Sequence, residues 1–187
     1  VDAGHATFIA GLIRQICPEA RIQVIPLLDD EGRMPEGALI QVLNLLLLRQ
    51  LLALQNNVQD DLIDVISLSL GYYHEDPDDA LEDSALRAVL DELGRQGVAV
   101  VASAGNQSTT QELYPAAFAG QTRPGFDPGM VPLVSVGALN PDGQSVAYFS
   151  NAGDWVSCHR VGAALVSTIP QDLDGELHQD RRIRRTR

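Results

Sequence analysis

The strongest constraint on the fold of this chain is an alternation of two hydrophobic periods. Short runs rich in β-branched residues occur at Arg21 to Leu28, Leu62 to Leu70 and Val98 to Ser103. Between them lie longer segments whose apolar residues recur at helical spacing. Phe8, Ile9, Leu12, Ile13 and Ile16 form one such face, stopped by Pro18. Leu39, Leu43, Leu46, Leu47, Leu51 and Leu54 form a second, after Pro35, a residue suited to the first turn of a helix. Leu81, Ala85, Leu86, Val89, Leu90 and Leu93 form a third, ended by Gly94 and Gly97. Strands that read as continuous apolar runs are buried on both faces, and parallel strands need crossover connections. The pattern predicts an α/β fold: three α/β/α layers on a mostly parallel sheet, with right-handed crossovers.

After Asn106 the pattern changes. Tyr114 to Met130 reads as a loop rich in Gly and Pro. Pro132 to Leu139 and Val146 to Ser150 flank Asn140-Pro141-Asp142-Gly143, a hairpin turn signal, and a last apolar stretch runs from Val161 to Ile169. Residues 171–187 are polar, charged and aperiodic, so the expected organisation is a domain over 1–170 followed by a mobile Arg-rich tail. No internal repeat is visible.

Charge narrows the function classes. The formal net charge is −12, and all 13 basic residues are arginine. Five of those arginines lie in the last seven residues, so residues 1–180 carry −17. A body this acidic argues against nucleic-acid binding, which needs a basic face for phosphate contacts. Leu39 to Leu54 is interrupted by Gln41, Asn44, Arg49 and Gln50, and reads as too short to span a bilayer, which takes roughly 20 apolar residues. Cys17 and Cys158 permit at most one disulfide and exclude a cysteine-rich zinc site. The chain opens on Val1, so the natural start is expected to lie upstream.

In an open α/β sheet, ligands bind outside the carboxyl ends of the strands. Three segments meet that expectation. Gly4-His5-Ala6-Thr7-Phe8-Ile9-Ala10-Gly11 sets a histidine at a helix start among small residues. Ser67-Leu68-Ser69-Leu70-Gly71 leaves a strand through a glycine, and Ala102-Ser103-Ala104-Gly105-Asn106 ends another strand in small residues and an asparagine. Singly, each has a plain structural reading as a helix entry, a strand terminus or a turn. The acidic run His74 to Asp79 reads as a solvated helix entry before a metal site, and His159 beside Cys158 does not by itself make a ligand set.

In order and spacing, these segments resemble the subtilisin-like serine proteases, the subtilases. Gly4 to Gly11 follows the family's H-G-T-x-V-A-G motif with Ala6 in place of its glycine. Ser67 to Gly71 resembles the S-x-S-L-G strand, Ser103 to Asn106 the A-A-G-N motif, and Tyr114-Pro115-Ala116 the tyrosine–proline that follows it. Val131 to Gly153 is similar to the family's V-I-x-V-G-A and F-S-x-x-G stretch, and Val166 to Pro170 to the strand before the nucleophile.

The resemblance implies a serine endopeptidase acting on an extended peptide or protein, with no cofactor. His5 would be the general base. Asn106 would donate to the oxyanion of the tetrahedral intermediate, a contribution of roughly 3–4 kcal/mol in such enzymes. Ser69, Leu70 and Gly71 would pair with the substrate as an added strand. Ala102, Ser103 and Ala104 would wall the primary specificity pocket, with Leu113 at its floor, which implies medium-sized apolar residues at the cleavage site. The family is commonly secreted, so an extracellular location is implied as well.

The chain also departs from the family. Only four residues precede His5, where the triad aspartate strand would lie, and no G-T-S-x-A-x-P motif follows Ile169. Ile16 to Ala20 passes from helix to strand without room for the calcium loop of many subtilases, so no metal is expected there. The segment lacking both triad partners is expected to be inactive alone, and to be poorly stable or to associate with itself through open apolar faces. The rival reading is an inactive pseudoprotease or peptide-binding module on the same fold.

Overall fold

The computed structural model describes residues 4–28, 34, 36–74, 84–120 and 129–170. Its chain divides into two compact units, Val1–Met34 with Leu165–Arg187, and Pro35–Ala164.

The first unit holds helix α1 (His5–Ile16). Gly4 caps it with a positive φ of 95°, and the helix ends at Cys17, whose N–H bonds the carbonyl of Ile13. Residues 165–170 lie along this helix. Ser167 Oγ donates to the Phe8 carbonyl at 2.6 Å, Thr168 Oγ1 to that of Thr7 at 3.1 Å, and Gln15 Nε2 to that of Val166 at 3.0 Å. A side chain at Gly11 would collide with the hydroxyls of Ser167 and Thr168, so the last glycine of the histidine motif is what admits this segment.

The expected strand over Arg21 to Leu28 is absent. The segment is irregular and largely exposed, with Val24 and Leu28 open to solvent. A β-branched run becomes a strand only through ladder hydrogen bonds to a neighbour. None of the strand pairings among the described residues includes this run. Val166 to Pro170 is not a strand either.

The second unit is the sheet. Helix α2 (Glu36–Asn56) leads through a 3-10 turn (Gln59–Asp61) to β1 (Val65–Leu68), then to helix α3 (Ser84–Arg95) and β2 (Ala99–Ser103). A 3-10 turn at Ala116–Gly120 precedes β3 (Val134–Leu139) and β4 (Cys158–Val161). The four strands pair in parallel in the order β1-β2-β3-β4, in register Leu68 to Ala102, Ala102 to Ser135 and Gly137 to His159. The parallel sheet required by the alternation is therefore present.

The core sits between α2, α3 and the sheet. Leu86, Val89, Leu90 and Leu93 of α3 are buried, as are Leu39, Leu43 and Ala53 of α2 and Ile66, Leu68, Val100 and Ala102 of the strands. Helix α3 ends in a Schellman motif. Gly97 takes φ +84°, its N–H bonds Gly94 O at 3.1 Å, and Val98 N–H bonds Leu93 O at 3.0 Å. Leu93 and Val98, the apolar pair of that motif, are both fully buried.

Helix α2 runs longer than the sequence reading allowed. Gly37–Asn56, 20 residues, is long and apolar enough to cross a membrane by length and composition alone, against the expectation that the stretch is too short. Its interrupting Gln50 faces protein, only 4 % exposed. The Gln50 amide donates to Gln96 O at 3.1 Å and accepts from Ile63 N at 2.8 Å, tying α2 to the end of α3 and the approach to β1. The other side of the helix leaves Leu45, Leu48 and Leu52 exposed.

Two further expectations are revised. Val146 to Ser150 forms no second hairpin arm; the chain turns at Asn140–Ser145 and touches β3 through one bridge, Leu139 to Val146. The last strand is Cys158–Val161 rather than the apolar stretch from Val161 to Ile169. This edge strand carries His159 and Arg160 and is at most half-buried, so it has no apolar signature to read. Pro35, Leu81, the acidic run 75–79, residues 121–128 and the tail 171–187 lie outside the described residues.

Candidate active site

The carboxyl ends of β1 and β2 are neighbours in the sheet, and the chain leaving each carries a motif singled out above. Ser69, Leu70 and Gly71 follow β1, which lies at one edge of the described sheet. Ser69 and Gly71 are exposed, as an edge that accepts a further strand requires. Ala102 and Ser103 close β2, and Ala104 continues its ladder by donating from its N–H to Val136 O at 2.9 Å. The backbone then turns at Gly105, φ +99°, into an exposed Asn106.

Leu113 joins the two ends. It is 5 % exposed, and its side chain packs against the backbone of both glycines. A Cβ on Gly71 would lie 2.7 Å from Leu113 Cγ, and one on Gly105 would lie 2.9 Å from its Cδ2. The space between these backbone walls is thus filled by one isobutyl group. Tyr72 and Tyr114 hold the arrangement with paired backbone bonds, each 2.9 Å, and the Tyr114–Pro115 peptide is cis. Behind Leu113, His74 stacks on Tyr114 with ring centres 4.0 Å apart, Phe118 meets Tyr114 edge-on, and the Arg87 guanidinium lies over Phe118. The Tyr114 hydroxyl donates to Glu112 at 2.6 Å.

Residues that the sequence reading did not single out shape the Asn106 loop. Asn151 is fully buried. It bonds the loop through Gln107 N at 3.0 Å and Thr109 N at 3.3 Å, and donates to the Tyr73 hydroxyl at 2.8 Å. Their signal was faint: Asn151 stands inside the F-S-x-x-G stretch, while Tyr73 and Gln107 match no motif.

His5 is the first residue of α1, in the first unit, and its side chain is exposed. Cys17 and Cys158 are free thiols. Among the described residues, no three His, Cys, Asp or Glu side chains are grouped to hold a metal.

The carboxyls with perturbed ionisation lie elsewhere in the fold. Burial raises the Asp91 pKa, partly offset by Arg95. Hydrogen bonds from Gln96 and Arg95 lower that of Glu92, and bonds from the Ser145 hydroxyl and the N–H groups of Gln144 and Ser145 lower that of Asp142.

A parallel α/β sheet with helices packed against it defines a class, the subtilisin-like three-layer α/β/α fold. Solved structures share it: a lanthipeptide protease matches with a TM-score of 0.70 at 20 % identity, covering 97 % of this chain and 53 % of that one. A cold-adapted subtilisin-like serine proteinase matches at 0.63 and 22 %, covering 89 % and 52 %. The sequence profile of the subtilase family, Peptidase S8, matches residues 2–164, and the chain belongs to that family. It is 28 % identical to subtilisin E of Bacillus subtilis (strain 168) and 27 % identical to a subtilisin of Bacillus pumilus. Both alignments cover 90 % of this chain, which spans 39 % and 54 % of the length of these relatives.

Proposed function

We propose that the protein is a serine endopeptidase of the subtilisin-like class, cleaving peptide bonds in extended substrates, with His5 as general base and Asn106 as oxyanion donor. One observation carries the reading. Ser69–Gly71, Ala102–Asn106 and Leu113 come from three stretches of chain, and they meet at the carboxyl ends of two adjacent parallel strands. Substrate backbone would pair along Ser69–Gly71, leaving its cleaved residue against the wall of Ala102 to Ala104. Asn106, beyond that wall, would meet the developing oxyanion. Such an endopeptidase needs a triad aspartate and serine besides His5. An extracellular location goes with the same reading.

The Leu113 packing moves the specificity proposal from medium-sized apolar residues to small ones. Because its side chain occupies the space between Gly71 and Gly105, the pocket takes alanine, glycine or serine more readily than a medium-sized apolar residue. A cleavage-site peptide library should show that preference, and a preference for medium-sized apolar residues, or for Arg or Lys, would overturn it. For the reaction itself, the test is fluorophosphonate labelling of the complete natural protein. Labelling abolished by His5→Ala supports the endopeptidase. Peptide binding without labelling would establish the inactive binding module instead.

A further inference from the structure

We propose that Tyr73 and Asn151 are positioning residues that set the Asn106 donor against the substrate-binding edge; the proposal rests on the endopeptidase reading above. The loop from Gly105 to Thr109 has no helix or strand to fix it. It is held instead by bonds to residues 148–152. Asn151 N–H donates to Gly105 O at 3.1 Å, Ser108 N–H to Phe149 O at 3.0 Å, and Ala152 N–H to Thr109 O at 3.0 Å.

The Asn151 side chain bonds the loop just beyond Asn106. Its Oδ1 accepts from the N–H groups of Gln107 and Thr109, and that pair of donors fixes which end of the amide is oxygen. Its Nδ2 donates to the Tyr73 hydroxyl at 2.8 Å. The hydroxyl donates in turn to Gln107 Oε1 at 2.7 Å, and that oxygen also accepts from the backbone N–H of Asn106 at 3.0 Å. The Tyr73 hydroxyl accepts from Asn151 and donates to Gln107 Oε1, which accepts on both sides, and the chain of groups ends on the backbone N–H of the oxyanion residue.

Its other end is the substrate edge. Tyr73 stands two residues after Gly71, beside the Tyr72–Tyr114 bridge. One buried carboxamide and one phenol therefore tie the peptide-pairing segment to the oxyanion loop. Few side chains could replace Asn151: aspartate keeps the acceptors but lacks the donor, and leucine lacks both. An oxyanion donor works only within a few tenths of an ångström of its place, so loosening this tie acts on the transition state more than on substrate binding.

The test is steady-state kinetics of the complete natural protein on a peptide substrate. Tyr73→Phe keeps the ring and removes the hydroxyl. It is expected to lower kcat about tenfold, less than the roughly 10²–10³ that loss of a whole donor removes, with KM changed less than about twofold. Asn151→Asp is expected to lose a similar factor. In an Asn106→Ala background, Tyr73→Phe should change kcat less than about twofold, because residues acting through one group are not additive.

Full activity in Tyr73→Phe, or factors that multiply in the Asn106→Ala background, would overturn the positioning role. If Asn151→Asp fails to fold, Tyr73→Phe decides alone. A wild-type protein that neither labels nor hydrolyses overturns the endopeptidase reading and this role with it; an active wild type with an unaffected Tyr73→Phe overturns this role only.

Discussion

Replacing Gly105 by alanine tests the packing of the candidate site without assuming any activity, and Gly97 supplies the control. Both residues have positive φ, +99° and +84°. Their surroundings differ. A Cβ at Gly97 meets nothing within 4 Å, so Gly97→Ala carries only the backbone term, about 1–2 kcal/mol. A Cβ at Gly105 would lie 2.5 Å from Asn151 Nδ2, 2.9 Å from Leu113 Cδ2 and 3.0 Å from Gln107 Oε1.

Gln107 is exposed, but the other two neighbours are not free to retreat. Asn151 is fully buried and bonded at both ends of its amide, and Leu113 is wedged against Gly71. Displacing the Asn151 amide weakens bonds worth about 1 kcal/mol each and strands a buried polar group at about 1–3 kcal/mol. Gly105→Ala is therefore expected to cost about 3–5 kcal/mol in total.

Urea unfolding followed by the fluorescence of Trp155 reads the difference. It is the only tryptophan in the chain, and it is buried at 5 % exposure. With a urea slope of about 2 kcal/mol per molar, the midpoint should fall by about 0.5–1 M for Gly97→Ala and about 1.5–2.5 M for Gly105→Ala. Equal shifts for the two variants would refute the claim that the loop is locked by Asn151 and Leu113.

Three other outcomes follow from the same structure. Leu93→Ala, in the fully buried Schellman pair, should destabilise the protein by about 2–5 kcal/mol in the same unfolding assay. Gln50→Leu should lower stability by about 2–4 kcal/mol, because it leaves the part-buried Ile63 N–H and Gln96 O without their bonds; a neutral result would show that solvent reaches them. Asp142 has a folded pKa below its unfolded value, so its contribution is full above the unfolded value of 3.8 and fades as pH falls through the folded one. The stability gap between wild type and Asp142→Ala, measured by urea titration from pH 7 to pH 3, should narrow on the acid side, and a constant gap would contradict that assignment.

The sequence by itself determined the elements whose signal is local. Helical periodicity marked α1, α2 and α3 as helices, and continuous apolar runs marked β1 and β2. Of the helix faces, only that of α3 is buried as expected: Ile16 of α1 and Leu51 and Leu54 of α2 are exposed, since periodicity does not say which apolar side chains find a neighbour. It also supplied the motif order by which Ser69 to Gly71, Ala102 to Ala104, Leu113 and Asn106 were chosen as one site.

Tertiary structure alone decided whatever depends on a partner. Arg21 to Leu28 has strand composition but no ladder neighbour among the described residues, and it is irregular. Cys158–Val161 has little strand composition but pairs with β3, so it is a strand. Asn151 and Tyr73 lie 78 residues apart, and nothing near either announces the other. Hydrogen bonds have partners fixed in space rather than along the chain, so a polar network stays invisible until the fold brings its members together.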